Sequence, residues 1–276
     1  MINIHELEVQ STKLRKLIVQ MVFEAESGHF GGSLSCIDLI NYIYEKYIIP
    51  DGDFFLLSKG HAAPALYAKL IQLKFVKAEA ISGFRKNGGL LTGHPSNEIN
   101  GVSFGLGSLG QGASIAMGIA LGQKLTKSNK KVFVLLGDGE LNEGQNWEAF
   151  FSAKKLELNN LVVVIDRNRM QLDGFCEEVS GFDNLSNKLE SFFGSKPIEM
   201  DGNNYSDIER GFSKIDFDAP TVIIANTVKG YGVNFMENNP DYHSYRIDRT
   251  EKQSLHTQAI HTLDEMEADY NAKNGG

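Results

Sequence analysis

The sequence predicts an α/β protein with an open, mostly parallel β-sheet and helices on both faces. Two continuous apolar runs, at residues 132–136 and 161–165, have the pattern of strands buried on both faces. The segment between these runs is long enough for a crossover that joins two parallel strands. Strand and helix continue to alternate beyond them, which favours the same fold class.

Apolar periodicity predicts helices in the first third of the chain. The first helix has one apolar stripe, formed by Leu14, Leu17, Ile18, Met21, Val22 and Ala25. A second helix should follow Ser33 or Ser35 and carry one apolar side, formed by Leu39, Ile40, Ile43, Tyr44 and Tyr47. A third is expected at residues 63–73, with Pro64 in its first turn. Residues 112–124 form a further predicted helix, rich in small residues.

The later elements follow the same alternation. The crossover between the two apolar runs should contain a helix at residues 143–156, packed on the sheet through Trp147. Shorter strands are expected at residues 195–200 and 221–225. A polar helix should begin near Thr250 and fray into residues 274–276. With no repeat, low-complexity tract or linker, residues 1–276 are predicted to form a single domain.

The composition narrows the possible functions. The 276 residues contain 27 basic and 35 acidic side chains, a net charge of −8, and no basic run. We therefore expect neither nucleic acid nor a membrane as a partner. The first residues lack the apolar stretch of a signal peptide, and no apolar run is long enough to cross a bilayer. The two distant cysteines, Cys36 and Cys176, are interpreted as buried thiols, although sequence alone does not exclude a disulfide. A cytoplasmic protein is expected.

Polar residues follow both central strands where the strands should end. A Gly-Asp-Gly turn centred on Asp138 follows the first, and Asn168 follows the second. Ligands of open α/β sheets bind outside the carboxyl ends of the strands. A carboxylate, an amide oxygen and a main-chain carbonyl suit Mg²⁺ or Ca²⁺, and Mg²⁺ keeps positions open for phosphate oxygens. The alternative is a plain turn at Asp138 with Asn168 as a cap; the pairing of the two favours the ligand site.

The spacing of Asp138 and Asn168 resembles the thiamine diphosphate-binding motif, and longer segments resemble transketolases. These segments are Gly-Asp-Gly-Glu-Leu-Asn-Glu-Gly from Gly137, Trp-Glu-Ala from Trp147, and Asp-Arg-Asn-Arg-Met-Gln-Leu-Asp-Gly from Asp166. The resemblance covers nearly the whole chain, and its segments agree in order and spacing. It implies the diphosphate-binding domain of a thiamine diphosphate enzyme.

The resemblance also assigns roles within this motif. It implies that Asp138 and Asn168 hold Mg²⁺ (or Ca²⁺) by their side chains and Met170 by its carbonyl oxygen. The remaining cofactor-binding candidates are Gly137, Gly139, which would lie against the diphosphate, and Glu140. Glu140 and Glu143 also have a structural interpretation, because acids at a helix start are favourable to its dipole. A subunit contact near the active site is a further alternative for both.

Three histidines lie next to glycines in turns, which expose the imidazole rings. They are His29, His61 and His94, and any one alone could equally be a surface or capping histidine. The resemblance implies that they line the thiazolium and the first hydroxyls of a sugar, with His61 also near the diphosphate. Neutral imidazoles can move protons to and from hydroxyls near neutral pH. His243 is a fourth catalytic candidate, although Tyr-His-Ser stands where similar subunits have Trp-His-Gly.

A glycine-rich segment at residues 105–110 formally matches the dinucleotide fingerprint G-x-G-x-x-G. Its context fails, because no convincing strand precedes it and no acidic residue follows at the required distance. The resemblance implies instead that this loop touches the aminopyrimidine ring, through Gly107, Ser108 and Leu109. Single-chain transketolases usually have proline in place of Ser108, whereas serine is common in shorter relatives.

The resemblance covers only the diphosphate-binding part of a transketolase. Such enzymes also need a pyrimidine-binding domain with the glutamate that activates the cofactor, and no segment here matches it. The chain is therefore expected to be the N-terminal subunit of a split transketolase, assembled as a dimer or heterotetramer with a separately encoded C-terminal subunit. The expected reaction moves a two-carbon ketol unit from a ketose or its phosphate to an aldose or its phosphate.

Three alternatives remain open at this point. The chain could be the α subunit of a 2-oxo acid dehydrogenase, which the set of three histidines disfavours. It could be a non-catalytic regulatory subunit, although Asp138, Asn168 and the histidines are all present. A nicotinamide oxidoreductase is the third, weakened by the context of the glycine-rich segment.

Overall fold

The computed structural model of the protein describes residues 2–172, 174–180, 184–243, 245–246 and 248–273. The strands are β1 (Ser27–Gly28), β2 (Phe54–Leu57), β3 (Val132–Gly137), β4 (Leu161–Arg167), β5 (Met170–Gln171), β6 (Gly174–Phe175), β7 (Ile198–Asp201), β8 (Thr221–Asn226) and β9 (Tyr245–Arg246). The α-helices are α1 (Ile4–Ala25), α2 (Gly31–Ile43), α3 (Ile49–Asp51), α4 (Ala63–Gln72), α5 (Gln111–Leu125), α6 (Gly144–Lys155), α7 (Cys176–Ser180), α8 (Leu185–Phe193), α9 (Tyr205–Phe212) and α10 (Lys252–Lys273).

A five-stranded parallel sheet, in the order β2-β3-β4-β8-β7, forms the centre of the molecule. The register of β3 and β4 runs from Val132 opposite Leu161 to Gly137 opposite Asp166. Both strands therefore end at the same edge of the sheet, and the predicted open parallel sheet is confirmed. Two short antiparallel pairs, β1-β9 and β5-β6, lie outside it.

Helices cover both faces of this sheet because alternate side chains of the central strands enter two separate cores. Leu135 and Val164 belong to the core beneath α1, α2, α4, α9 and α10. Val134 and Val163 belong to the core beneath α5, α6 and α8. Burial on both faces explains why these strands consist of uninterrupted apolar residues.

The first and last long helices pack against each other. Asn3 caps α1 by accepting a hydrogen bond from the Glu6 N–H, and the left-handed Glu26 ends it. The predicted stripe of α1 is buried at Leu14 and Ile18. The predicted polar helix near the C-terminus is α10, whose Leu263 is buried. Its expected fraying at residues 274–276 lies outside the described residues.

The predicted boundary of α2 was wrong, because the helix begins at Gly31 rather than after Ser33 or Ser35. Its predicted one-sided pattern was also wrong, since the helix is buried along its whole length. Glycines start this helix because other segments come close: a Cβ at Gly31 would lie 2.8 Å from Lys229 Cγ.

Most other predicted elements are confirmed, whereas one strand of the central sheet was not predicted. Helices α4, α5 and α6 and strands β7 and β8 match their predicted segments within a few residues, and Pro64 lies in the first turn of α4. Trp147 packs against Phe150 and Phe192 in the core below α6. The edge strand β2 was not predicted.

The two cysteines agree with the sequence-based expectation of buried thiols. Cys36 and Cys176 are both free and buried. None of the helices in the described ranges combines the length and apolar character needed to cross a membrane.

Candidate active site

A cavity of about 420 Å³ lies at the carboxyl edge of the sheet, where β3 and β4 end. This volume is in the usual range for small-molecule and cofactor sites. The lining residues are His29, Gly32, Lys59, His61, His94, Gly107, Leu109, Gly137, Asp138, Gly139, Glu140, Asn168, Met170, Gln171, Leu172, Lys229 and His243. The cavity therefore gathers residues from widely separated parts of the chain.

Asp138 lies directly after β3 and is almost fully buried. Its carboxylate accepts hydrogen bonds from the Gly139 N–H at 2.8 Å and the Arg169 N–H at 2.5 Å. Burial and the nearby charge of Asp166 raise the pKa of Asp138 to about 6. A cation next to this carboxylate would favour its charged form, because opposite charges stabilise the ion.

Asn168 and Met170 bring two further oxygen atoms to the same wall. The Asn168 side chain accepts from the Met170 N–H at 3.1 Å and donates to Asp166 at 3.1 Å, which fixes the orientation of its amide. The Met170 carbonyl accepts a hydrogen bond from the Lys229 ammonium at 3.1 Å. One carboxylate, one amide and one carbonyl thus line the cavity together.

This donor set fits a divalent cation of the magnesium or calcium type, which prefers oxygen ligands. Among the residues that the structure describes, no group of three or more His, Cys, Asp or Glu side chains is placed to hold a metal. The predicted set of Asp138, Asn168 and the Met170 carbonyl differs from such groups because it contains a single carboxylate. It would also leave coordination positions of the cation open for other ligands.

Glu140 joins three backbone segments beneath the cavity. Its carboxylate accepts hydrogen bonds from the Ser58 hydroxyl, the Gly110 N–H at 2.9 Å and the Gly137 N–H at 3.1 Å. Burial raises the pKa of Glu140, against the opposing effect of these donors. Glu140 therefore lines the cavity and also holds the glycine-rich loop against the end of β3. Glu143, by contrast, is exposed.

Three of the four predicted histidines form one cluster. The ring centroids of His29, His61 and His243 lie 5.3 to 5.8 Å apart. Burial, followed by repulsion from nearby cations, lowers the pKa of His29 to about 4 and that of His243 to about 3. Burial likewise lowers the pKa of His61 well below its usual value. All three rings are therefore neutral at pH 7.

His94 also lines the cavity and is more exposed than the three clustered histidines. Burial and the nearby Arg85 lower its pKa. Its backbone is fixed because the Tyr67 hydroxyl donates to the His94 carbonyl at 2.9 Å. The ring stands beside Gly107, where an added Cβ would lie 3.5 Å from the imidazole.

Asp166, at the end of β4, accepts hydrogen bonds from four groups at the cavity floor. The donors are the Lys59 ammonium, the Thr227 hydroxyl, the Ser35 hydroxyl at 2.7 Å and the Asn168 amide at 3.1 Å. Although burial opposes it, the Asp166 carboxylate raises the pKa of Lys59 to about 12. Lys59 therefore stays charged inside the cavity.

Lys229 supplies a second ammonium at the cavity wall. Its Nζ lies 2.6 Å from His243 Nδ1, in addition to its contact with the Met170 carbonyl. Burial and repulsion from Lys59 lower the pKa of Lys229 to about 8. Because the His243 ring is neutral, Nδ1 can accept from this ammonium while Nε2 keeps the proton.

Two glycines of the cavity lining are closely approached by neighbouring side chains. A Cβ at Gly32 would lie 3.2 Å from His61 Nε2, and one at Gly139 would lie 2.9 Å from the Gln171 side chain. Side chains at these positions would narrow the cavity. The cavity lining at these glycines, together with the ammonium groups of Lys59 and Lys229, fits an anionic group such as a diphosphate.

The structure brings together all the predicted site residues except Ser108, which is exposed and does not line the cavity. Lys59 and Lys229 are lining residues that sequence reasoning did not assign. Both stand beside residues of predicted motifs, Lys59 two positions before His61 and Lys229 before a glycine. Their importance depends on contacts with Asp166 and Met170, which are distant along the chain.

The glycine-rich segment at residues 105–110 leads into α5 without a preceding strand in the described residues around it. The nearest strand before it in sequence is β2, from which α4 separates it. The dinucleotide fingerprint needs a strand immediately before its glycines. This context weakens the nicotinamide alternative further.

Comparisons with known proteins agree on one family. The family description "Transketolase, thiamine diphosphate binding domain" matches residues 7–265. The chain is 38% identical over 251 residues to a subunit of the apulose-4-phosphate transketolase of Phocaeicola vulgatus, covering 87% of this chain and 89% of the relative. It is 32% identical over 253 residues to 6-deoxy-6-sulfo-D-fructose transketolase subunit SqwG of a Clostridium species, covering 88% and 92%.

A solved structure gives the same result at the level of the fold. The crystal structure of transketolase from Campylobacter jejuni matches with a TM-score of 0.82 and 25% identity. The match covers 99% of this chain and 49% of that chain. The chain thus spans about half the length of this solved relative.

Proposed function

The chain belongs to the transketolase family of transferases, as its thiamine diphosphate-binding part, and we propose that it is the N-terminal subunit of a two-chain transketolase. In this proposal the enzyme moves a two-carbon ketol unit from a ketose or ketose phosphate to an aldose or aldose phosphate. One observation carries the proposal: oxygen donors for a cation and neutral imidazoles converge on the same cavity at the strand ends.

Cofactor binding is assigned to the cavity floor. Asp138 and Asn168 would hold Mg²⁺ by their side chains and Met170 by its carbonyl. The bare backbone of Gly137 and Gly139 would lie against the diphosphate, whose charge Lys59 would offset. The raised pKa of the buried Asp138 carboxyl supports this assignment, since a neighbouring cation would lower that pKa and stabilise the carboxylate.

The reacting end of the site is assigned to the histidines. Bound thiamine diphosphate supplies the nucleophilic carbon and the electron sink that ketol transfer needs. His29, His61 and His243 would orient the sugar hydroxyls and move protons at them, with His94 facing them. Neutral rings can both donate and accept, so their lowered pKa values keep both roles available at pH 7.

The glycine-rich loop at the cavity would help to exclude water from these groups. Leu109 lies on that loop and lines the cavity, whereas Ser108 lies beside it on the exposed side. We assign Gly107 and Leu109 to contacts with the aminopyrimidine ring, and Ser108 to the outer edge of the same loop.

A second chain completes the site in this proposal. The described residues form one diphosphate-binding domain, and the pyrimidine-binding part comes from a separately encoded subunit, in a dimer or heterotetramer. The proposal is supported by relatives that are themselves named as transketolase subunits and are covered almost fully, at 89% and 90%, whereas the solved transketolase is covered at 49%. A cytoplasmic location is proposed because the free buried thiols suit a reducing compartment.

An activity screen tests the proposal. The tagged chain, purified with its associated subunit, is supplied with thiamine diphosphate, Mg²⁺, ketose phosphate donors and aldose phosphate acceptors, and the transferred product is measured. Anionic ketoses come first, since the relatives are named for apulose 4-phosphate and 6-deoxy-6-sulfo-D-fructose. Decarboxylation of 2-oxo acids without ketol transfer would favour the dehydrogenase alternative, and cofactor binding without any turnover the regulatory one.

A further inference from the structure

A buried ion pair lies between α1 and α2, behind the cavity wall. Arg15 donates two hydrogen bonds to Asp38, at 3.0 and 2.6 Å, and the two side chains are only 1% and 3% exposed. The third contact of the guanidinium is a bond from its Nε to the Tyr231 carbonyl at 3.1 Å. The guanidinium also lies 4.9 Å from the centre of the Tyr231 ring.

Asn203 connects Asp38 to the segment at residues 228–231, which also holds Tyr231. Its amide donates to Asp38 and to the Ser35 carbonyl, both at 3.0 Å. Its oxygen accepts from the Val228 N–H at 2.8 Å. Arg15, Asp38 and Asn203, here called the anchor network, therefore grip the backbone at residues 228 and 231.

Lys229 and Gly230 lie between these two contacts, and Lys229 carries the side chain. Its stem passes Gly31 so closely that a Cβ there would lie 2.8 Å from Lys229 Cγ. The Gly230 N–H also donates to the Gly31 carbonyl at 3.1 Å. With its backbone held on both sides and its stem confined, Lys229 reaches the Met170 carbonyl and His243 in the cavity.

We propose that the anchor network is a positioning device that fixes the Lys229 ammonium in the cavity, so that Arg15 supports cofactor binding without touching the cofactor. The proposal rests on the proposed function, because it takes thiamine diphosphate as the ligand. Arg15 suits this task, since a planar guanidinium can bind a carboxylate with two donors and still direct a third to a carbonyl.

A purely structural ion pair would have a different pattern of contacts. Lys69 is such a case. It is fully buried, and its described hydrogen bonds go to Asn41 in α2 and to Glu45 just after α2. Neither partner lines the cavity. Lys69→Met is therefore the matched control for loss of a buried ion pair.

The test is a double-mutant cycle on cofactor affinity. Wild type, Arg15→Lys, Lys229→Met and the double variant are purified with the associated subunit, and thiamine diphosphate binding is measured by calorimetry at fixed Mg²⁺. Arg15→Lys keeps the charge but loses the forked geometry, and we expect it to weaken binding about tenfold, or about 1.4 kcal/mol. In the Lys229→Met background the same change should have less than about a twofold effect, because the group that it positions is gone.

Two further readouts separate positioning from loss of stability. Hydrogen exchange at residues 228–232 should become faster in Arg15→Lys and stay unchanged in Lys69→Met, while both variants melt at a lower temperature than wild type. If Arg15→Lys does not fold, Asn203→Ala replaces it in the cycle, because Asn203 is only half-buried. This substitution removes the hydrogen bond with the Val228 N–H and leaves the Arg15–Asp38 pair in place.

The outcomes are distinct. If Arg15→Lys weakens cofactor binding equally in the wild-type and Lys229→Met proteins, the positioning role of Arg15 is overturned but the proposed function is not. A similar loss of affinity in Lys69→Met would have the same consequence. A wild-type complex that does not bind thiamine diphosphate would overturn the proposed function, and the inference with it.

Discussion

At the residue scale, the cavity balances a small number of buried charges. Asp166 is paired with Lys59, whereas the Asp138 carboxylate is hydrogen-bonded to two backbone N–H groups and the Cys176 thiol and has its pKa raised to about 6. Lys229 has no carboxylate among its described hydrogen bonds, and its pKa falls to about 8. Asp138 and Lys229 are thus the two groups whose charged forms a bound cation and a bound anion would stabilise.

Replacement of Asp138 tests the cation assignment. Asp138→Ala should remove Mg²⁺-dependent binding of thiamine diphosphate while the far-ultraviolet circular dichroism spectrum stays that of wild type, because the side chain bonds only to local groups, the Gly139 and Arg169 N–H groups and the Cys176 thiol. Calorimetric titration with Mg²⁺ present and absent measures the effect. Asp216→Ala, in an exposed loop, is the control. Unchanged cofactor affinity in Asp138→Ala would show that the cation is held elsewhere.

The lowered pKa of His29 predicts a pH dependence of stability. The unfolded chain binds a proton near pH 6.5, whereas the folded chain does so only near pH 4, because of burial and then Arg85, His94, Lys229 and Lys59. Its contribution to stability is therefore present above pH 6.5 and is lost as the pH falls, at up to about 1.4 kcal/mol per pH unit.

Urea unfolding between about pH 3.5 and 7.5, which spans the His29 pKa values of the folded and unfolded chain, measures this contribution. His29→Gln should make the free energy of unfolding rise less steeply with pH than in wild type, while exposed His261→Gln serves as the control. An equally steep rise in His29→Gln would mean that another group causes the dependence.

At the element scale, the site depends on close crossings between loops. The turn after β2 passes the glycine-rich loop so closely that a Cβ at Gly60 would lie 2.1 Å from the Leu106 carbonyl oxygen. A Cβ at Gly112, at the start of α5, would likewise lie 2.3 Å from the hydroxyl oxygen of Ser58. These contacts set the distance between His61 and the loop that carries Leu109.

Alanine at the tighter crossing should push the two loops apart. Gly60→Ala is expected to destabilise the protein by about 1–3 kcal/mol and to weaken cofactor binding, because the clash is with backbone. Gly118→Ala is the matched control: it lies in α5 with no atom near the added Cβ, and it should stabilise by about 0.5–1 kcal/mol. Unfolding by denaturant and calorimetric titration measure both effects. A neutral Gly60→Ala would contradict the role of the crossing.

Elements with a strong local pattern were predictable, and those set by distant contacts were not. Strands β3 and β4 stand out because burial on both faces requires continuous apolar residues. Strand β2 has four residues and lies at the sheet edge, so its local pattern is short. The start of α2 was misplaced because Gly31 and Gly32 usually disfavour a helix, and only the approach of Lys229 and His61 explains them.

At the scale of the whole molecule, the same division applies to the site. Asp138, Asn168 and the histidines could be assigned because they stand in motifs of fixed spacing. Lys59 and Lys229 could not, since their roles come from pairing with residues far along the chain. The anchor network has no local signal either, because it joins α1, α2 and the segments before α9 and after β8.

In the proposed assembly, this chain forms one part of an active site. In the proposed function, the cavity would provide cation ligands, diphosphate contacts and proton-transfer groups, and the second subunit would provide the pyrimidine-binding part. Two exposed apolar side chains, Leu172 and Phe175, stand at or next to the cavity rim, at 66% and 42% exposure. An associated chain that completes the site would be expected to approach this rim.

Native mass spectrometry of the tagged chain, purified gently from its own host with thiamine diphosphate and Mg²⁺, tests whether this chain assembles with a second subunit around the cofactor. The account predicts an assembly that contains this chain, a second and different chain, and bound thiamine diphosphate, with two copies of each in a heterotetramer. An assembly of this chain alone that carries no cofactor would contradict the account.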